Sequence, residues 1–155
     1  MSTVSVDQTI PDCTLPATSD KSLSLSDFRG GPLVLYFYPK ASTPGCTQEG
    51  QDFRDLYPEF QALGANILGA SRDGVKAQQN FKNKYEFPFE LLSDKDETLC
   101  KLFDVIKEKN MYGRKVMGIE RSTFLIDADG VLRREWRGVK VKGHAQEVLE
   151  AVKAL

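Results

Sequence analysis

One cysteine of this sequence lies where a helix is expected to begin. The segment Pro39-Lys40-Ala41-Ser42-Thr43-Pro44-Gly45-Cys46-Thr47 follows an apolar run. Within it, Thr43 is a preferred N-cap residue and Pro44 suits the first helical position. The first N–H groups of a helix have no internal partner, and the helix dipole favours negative charge there. We therefore predict that Cys46 is a nucleophile that reacts as its thiolate.

Ionisation alone would explain only a modest part of such a nucleophile's speed. An ordinary thiol is ~3% ionised at pH 7, so complete ionisation gains at most ~30-fold, or about 2 kcal/mol. The lower basicity of the thiolate removes part of that gain. A faster reaction needs donors aimed at the atoms that take up negative charge in the transition state. The candidates are the backbone N–H groups near Gly45 and Cys46, a hydroxyl and a fixed cation.

The remaining cysteines and the single histidine carry weaker signals. Cys13 and Cys100 are interpreted as packing residues, and His144 as a solvated residue at the start of the last helix. The absence of a Cys-x-x-Cys pair disfavours a zinc site and disulfide exchange of the thioredoxin type. We expect no cofactor. A cysteine–histidine hydrolase stays formally open, although nothing in the sequence brings His144 beside Cys46.

Length and charge narrow the class of protein. The chain has 155 residues with 41% hydrophobic and 28% charged content, which predicts one globular domain spanning 1–155. A net charge of −1 gives no global attraction to nucleic acid or to an anionic membrane. We expect no signal peptide in Met1 to Ile10 and no membrane span, and hence a cytoplasmic protein.

Basic residues nevertheless concentrate in the last third of the sequence. Because acidic residues such as Glu108, Glu120 and Glu135 interrupt them, we interpret them as a solvated face, with a docking patch for a protein partner as the alternative. The basic residues are Lys107, Lys109, Arg114, Lys115, Arg133, Arg134, Arg137, Lys140 and Lys142.

The elements that must position Cys46 follow from the apolar pattern. An N-terminal hairpin is expected around Cys13–Leu15 and Leu23–Leu25, and Leu33–Tyr38 is typical of a strand buried on both faces. The order then predicts an α/β, thioredoxin-like fold with a central mixed sheet flanked by helices. The remaining predicted elements are a helix after Thr43 ending at Gly64, a strand Asn66–Ala70, a helix Val75–Tyr85, an extended piece at Leu91–Leu92, a helix Glu97–Phe103, a loop Lys107–Glu120, a hairpin of Arg121–Ile126 and Val131–Trp136, and a helix His144–Ala154.

Three segments together resemble one known family. The spacing Pro39-x-x-x-Thr43-x-x-Cys46 looks like the active-site motif of peroxiredoxins. Tyr36-Phe37-Tyr38-Pro39-Lys40 and Gly118-Ile119-Glu120-Arg121-Ser122-Thr123-Phe124 resemble the Q-type subgroup, also called bacterioferritin comigratory proteins. The resemblance covers essentially the whole chain.

The resemblance implies a thiol peroxidase that reduces hydrogen peroxide and organic hydroperoxides. Cys46 would be the peroxidatic nucleophile that becomes a sulfenic acid. Thr43 would orient the peroxide, Pro39 would shield the sulfur from water, and Arg121 would stabilise the thiolate and the developing negative charge. The resemblance also suggests a monomer or a weak dimer.

The chain departs from the subgroup at the positions that usually carry a resolving cysteine. Gln51 and Lys82 stand there instead. The expected cycle therefore uses one cysteine, with an external thiol such as thioredoxin, glutaredoxin or glutathione as reductant. The alternatives are a disulfide from Cys46 to Cys100 or Cys13, and a redox sensor or holdase without turnover.

The loop before Arg121 offers candidates for contacts with the organic part of a peroxide. It contains Met111, Tyr112, Met117 and Ile119. We predict that some of these border the active site, Met117 and Ile119 foremost, together with Gly45 on the other side.

Overall fold

A computed structural model of the protein describes residues 4–155. Met1 to Thr3 lie outside the described residues, so the expectation about a signal peptide in Met1 to Ile10 falls partly outside them. Among the described residues, no helix is long and apolar enough to cross a membrane.

The central element is a seven-stranded mixed sheet in the order β2-β1-β5-β4-β3-β8-β9. Neighbours β3, β4 and β5 are parallel, whereas β8 pairs antiparallel with β3 and β9 antiparallel with β8. The predicted N-terminal hairpin forms one edge through the pairing of β1 with β5. The strands are β1 Thr14–Ala17, β2 Lys21–Ser24, β3 Leu33–Phe37, β4 Asn66–Ser71, β5 Glu90–Ser93, β8 Ser122–Ile126 and β9 Leu132–Arg137.

Strand β3 lies at the centre because both of its faces are apolar. Leu33, Leu35 and Phe37 pack into one hydrophobic cluster, and Val34 and Tyr36 into the other, as the period of two requires. Three helices supply residues to the second cluster, namely α1 Pro44–Ala62, α2 Val75–Tyr85 and α4 His144–Lys153. The short helix α3, Thr98–Leu102, packs into the first. The predicted mixed sheet flanked by helices is confirmed.

The predicted loop Lys107–Glu120 is wrong, because this segment forms a second, two-stranded sheet. Strands β6 Ile106–Met111 and β7 Arg114–Ile119 are antiparallel and joined by Tyr112-Gly113. Both turn residues have positive φ, 53° and 77°, as a two-residue hairpin turn of type I′ requires. The hairpin was not predicted because the residues in its middle and at its tip are exposed. They therefore lack the alternation of apolar and polar residues by which a strand is recognised.

Candidate active site

The end of β3 and the start of α1 are fixed by hydrogen bonds from the neighbouring strand. Tyr38 N–H donates to the carbonyl of Ala70 at 3.1 Å, and Ala41 N–H donates to Asp73 Oδ2 at 2.8 Å. Ser42 then takes a left-handed conformation with φ of 66°. These contacts fix the turn between the end of β3 and the start of α1, which six residues separate in the sequence.

Thr43 occupies the predicted N-cap position of α1, with extended backbone angles. Its hydroxyl donates to the carbonyl of Lys40 at 2.7 Å rather than capping the helix. The first bond of the helical ladder runs from Thr47 N–H to the Thr43 carbonyl at 2.9 Å. The N–H groups of Gly45 and Cys46 precede that bond, so they have no acceptor inside the helix.

Cys46 lies in the first turn of α1 with only 2% of its surface exposed. The Arg121 guanidinium approaches it from the residue before β8, with Nη2 at 3.5 Å from Cys46 Sγ. A second nitrogen, Arg121 Nη1, donates to Glu49 Oε1 at 2.8 Å. Cys46 and Glu49 are three residues apart on one helix face, so one guanidinium contacts both.

Glu49 was not predicted as a site residue, yet it is the most perturbed carboxyl of the site. Burial raises its pKa from 4.5 to about 7, against the opposing effect of Arg121. Its Oε2 atom has no hydrogen-bond partner among the described residues. Burial works against the charge of Arg121, but Glu49 and Cys46 outweigh it and raise the Arg121 pKa. The cation thus stays charged while its carboxyl partner titrates near neutrality.

Gly45 allows the guanidinium to come this close. A Cβ atom at this position would lie 3.1 Å from Arg121 Nη2, which is tighter than ordinary van der Waals contact. The absence of a side chain at Gly45 therefore leaves room for the guanidinium beside the first turn of α1. Pro39 is half-buried in the loop that leads to this face.

The other two cysteines lie away from Arg121, in or against the first hydrophobic cluster. Cys100 is fully buried, as predicted, and its backbone N–H donates to Asp94 Oδ2 at 2.7 Å. Burial, with Asp94 beside it, raises the pKa of the Cys100 thiol far above its usual value. Burial, with Asp94 and Asp12, also raises the pKa of half-buried Cys13. Both thiols are thereby held in the unreactive protonated form.

The two positions of the missing resolving cysteines have different surroundings. Gln51 is half-buried on α1. Lys82, on α2, donates from Nζ to the carbonyls of Phe87 at 2.8 Å and Phe89 at 3.1 Å, and lies 3.5 Å from Glu90 Oε1. Lys82 therefore ties α2 to the segment entering β5, where a cysteine would leave these carbonyls without that donor.

The interpretation of His144 as a solvated residue is wrong. Its ring is buried between Phe53 and Trp136, and Nε2 forms a hydrogen bond of 2.8 Å with Thr123 Oγ1. Burial lowers its pKa to about 4. The reason is that α4 packs against α1, which brings the His144 ring against Phe53 of the second cluster. Its hydrogen-bond partner is a threonine of β8 rather than Cys46.

The predicted contacts in the 106–119 hairpin divide into two kinds. Met117 is 58% exposed and Met111 and Tyr112 are also exposed, whereas Ile119 is completely buried in the first hydrophobic cluster. The position of Ile119 is that of a packing residue, so the structure does not support a direct contact between its side chain and a peroxide. No group of three or more His, Cys, Asp or Glu side chains within residues 4–155 could hold a metal ion.

Like Glu49, Lys109 was not predicted as a site residue. Its Nζ donates to the carbonyl of Ile119, two residues before Arg121. Burial and the nearby charge of Arg121 lower its pKa, and the charge of Cys46 opposes that effect. The hairpin therefore brings a second cation into the electrostatic field of Cys46. A helical spacing of three from Cys46 could have revealed Glu49, but no local pattern points to Lys109.

Comparison with known proteins places this chain in a family. Residues 6–135 match the AhpC/TSA family. The chain is 58% identical to peroxiredoxin Bcp of Xanthomonas campestris, covering 89% of this chain and 91% of the relative. It is 48% identical to peroxiredoxin Bcp of Bacillus subtilis, covering 97% and 96%.

Solved structures of similar proteins point to the same family. The Xanthomonas campestris bacterioferritin comigratory protein, whose structures were studied for its alkyl peroxide reduction activity, superposes with a TM-score of 0.88 at 56% identity, covering 92% of this chain and 90% of the other. A cysteine-to-serine variant of peroxiredoxin Q from Xylella fastidiosa gives a TM-score of 0.93 at 47% identity, covering 97% and 96%. The predicted thioredoxin-like fold is confirmed.

Proposed function

Since this chain belongs to the AhpC/TSA family as a Q-type peroxiredoxin, and so is a thiol peroxidase, we propose that Cys46 carries its reaction in a one-cysteine cycle. The observation that supports this most is the contact between Arg121 Nη2 and Cys46 Sγ at 3.5 Å. Of the three cysteines, all of them free thiols, Cys46 is the one held against a permanent cation at a helix N-terminus.

The attack forms one bond and breaks another. The Cys46 thiolate attacks one peroxide oxygen, the S–O bond forms and the O–O bond breaks, which leaves a sulfenic acid on Cys46. The departing oxygen takes a proton and leaves as water or an alcohol. Negative charge moves from sulfur to that oxygen, so groups that stabilise the departing oxygen accelerate the step.

Several groups around the sulfur stabilise or shield the reacting atoms. Arg121 contacts the sulfur. It can also stabilise the negative charge that develops on the peroxide oxygens. The Thr43 hydroxyl already donates to the Lys40 carbonyl, so its lone pairs are free to accept the O–H of the peroxide and orient it. The free N–H groups of Gly45 and Cys46 add two donors, and Pro39 limits the access of water to the sulfur.

Regeneration then relies on thiols from outside the chain. An external thiol attacks the Cys46 sulfenic acid and releases water, giving a mixed disulfide. A second thiol attacks that disulfide and returns Cys46 as a thiol, together with an oxidised reductant. Gln51 and Lys82 at the usual resolving positions support this cycle, and so does the protonated, buried state of Cys100. Thioredoxin, glutaredoxin and glutathione are the candidate reductants. We also propose that the protein is cytoplasmic and a monomer or a weak dimer.

Steady-state peroxide consumption with each reductant tests the cycle. We expect Cys46→Ser to abolish turnover, and Cys13→Ser and Cys100→Ser to keep the parent rate within about twofold. Loss of turnover in Cys100→Ser or Cys13→Ser would instead establish that cysteine as a resolving residue. A parent that forms the sulfenic acid but does not turn over with any thiol would be a redox sensor or holdase.

We further propose that Met117 contacts the organic part of alkyl hydroperoxides, the substrate type studied with the Xanthomonas campestris relative. The exposed thioether in the strand that leads to Arg121 supports this. Met117→Ala should lower kcat/KM for cumene hydroperoxide more than for hydrogen peroxide. An unchanged ratio of the two values would show that Met117 does not select the substrate.

A further inference from the structure

The 106–119 hairpin has an exposed apolar surface that the fold does not explain. Among residues 4–155, seven large hydrophobic side chains are exposed, and four of them belong to this one hairpin. Tyr112 is 98% exposed and Met111 51%. The hairpin forms a sheet of its own, so these side chains are not needed to cover the seven-stranded sheet. Exposed apolar groups that cluster in this way mark interaction sites.

Cross-strand pairing gathers apolar and basic residues on one face. Lys109 lies opposite Val116, and Met111 lies opposite Arg114; residues that are directly opposite point to the same side. Together with Tyr112 at the turn, these residues form what we call the hairpin surface, consisting of Lys109, Met111, Tyr112, Arg114 and Val116. Tyrosine, methionine and arginine are the types enriched in protein interfaces.

The hairpin surface is joined to the active site by short connections. The Lys109 ammonium donates a hydrogen bond to the Ile119 carbonyl. It also interacts electrostatically with Arg121 and Cys46. Arg72, directly after β4, donates to the Met117 carbonyl at 3.3 Å. Strand β7 then runs through Glu120 into Arg121. A protein seated on the hairpin surface would therefore contact the segment that leads directly to Arg121, the residue that contacts Cys46.

Charge distinguishes between the possible occupants. Positions 106–119 contain four basic residues and one acidic residue, whereas the whole chain has a net charge of −1. Arg114 makes no ion pair with any residue from 4 to 155. Two copies of the chain that met through this surface in a symmetric dimer would place like charges against each other. A partner that carries acidic residues beside an apolar patch complements both the basic and the apolar residues of this surface.

From these observations we propose that the hairpin surface docks the reductant, an acidic protein whose reactive dithiol lies beside an apolar patch. This inference rests on the proposed one-cysteine cycle and names the kind of reductant that completes it. One partner thiol attacks the Cys46 sulfenic acid, forming an S–S bond and releasing water. The second partner thiol then displaces Cys46 from the mixed disulfide, and the partner leaves with an internal disulfide.

A single-turnover experiment on the full chain separates docking from chemistry. Cys46 is first oxidised with one equivalent of peroxide, and its sulfenic acid is quantified with dimedone. Its reduction is then followed with thioredoxin, with glutaredoxin, with glutathione and with dithiothreitol. The test variant combines Tyr112→Asn, which suits the left-handed backbone at this turn, with Arg114→Glu. The matched control combines Leu155→Asn and Lys84→Glu, which are exposed positions away from the hairpin.

We take whichever of thioredoxin and glutaredoxin reduces the parent faster. With that protein, the rate constant for reduction of the Cys46 sulfenic acid should be at least about tenfold lower in the test variant than in the parent, as expected from the loss of interface anchors. Its rates with peroxide and with dithiothreitol should stay within about twofold of the parent, and the control variant should match the parent throughout. Equal changes with protein and small-molecule thiols, or no change at all, would overturn the proposal.

Three further outcomes are also decisive. The proposal is wrong if thioredoxin and glutaredoxin, at equal molar concentration, both reduce the Cys46 sulfenic acid no faster than glutathione. Sedimentation that shows a dimer of the parent, dissociated by the same substitutions with unchanged reduction rates, assigns the surface to a second copy instead. Failure of peroxide to oxidise Cys46 in the first step would be a failure of the proposed function, and the dimedone measurement reports it separately.

Discussion

Replacing Glu49 with Gln tests the electrostatics beneath Cys46. The amide has nearly the same size as the carboxyl and retains an oxygen that can accept from Arg121 Nη1, now 2.8 Å from Glu49 Oε1. What the substitution removes is the titration of a buried group. Because burial is the largest influence on this carboxyl and raises its pKa to about 7, the parent and the variant should respond differently to pH.

The sign and size of the difference follow from linkage. The Glu49 pKa is raised in the folded protein from 4.5 to about 7, so the folded protein binds this proton more tightly than the unfolded chain. The resulting stabilisation is present at low pH and is lost as pH rises through 7. From pH 5 to pH 8 the parent should lose about 2–3 kcal/mol of unfolding free energy relative to Glu49→Gln.

Urea denaturation of the reduced protein at pH 5, 6, 7 and 8 measures this difference. Other titrating groups, His144 among them, are present in both proteins and cancel. Glu59→Gln, an exposed change on the same helix, serves as the control and should follow the parent. If the parent and Glu49→Gln keep a constant difference over this range, Glu49 is ionised throughout and the argument that burial dominates over Arg121 is refuted.

Three further predictions concern the site and its support. Arg121→Met should slow the oxidation of Cys46 by about 10²–10³-fold, measured by stopped-flow fluorescence; a change below threefold would contradict the role of Arg121. Thr43→Val should slow the same step at least about tenfold, whereas Thr43→Ser, which keeps the hydroxyl, should remain near the parent. Lys82→Ala should lower the free energy of unfolding in urea by about 1–3 kcal/mol, and exposed Lys84→Ala should stay within about 0.5 kcal/mol; equal losses would show that the Lys82 bonds contribute nothing.

The parts of the fold that are set by local pattern could be predicted from the sequence. An uninterrupted apolar run made Leu33–Phe37 a central strand, and Thr43-Pro44 marked the start of α1 to the residue. Because a helix start and the end of a parallel strand meet at one edge of the sheet, the place of Cys46 followed from the same signals. Arg121 required the family resemblance, since nothing local distinguishes it from a surface arginine.

What the sequence did not reveal depends on contacts between distant segments. The burial of His144 follows from the packing of α4 on α1, and that geometry has no local signature. The hairpin around Tyr112-Gly113 forms through its turn and its anchoring by Arg72, without an apolar alternation of its own. Glu49 was overlooked because a glutamate on a helix is ordinarily solvated, and only the approach of Arg121 makes it part of the site.

Mass-spectrometric mapping of all three cysteines after one equivalent of hydrogen peroxide shows whether Cys46 is the cysteine that reacts. We expect dimedone to trap Cys46 as its sulfenic acid, while Cys13 and Cys100 remain thiols. An intramolecular disulfide from Cys46 to Cys100 or Cys13 in good yield, or oxidation of another cysteine before Cys46, would contradict it.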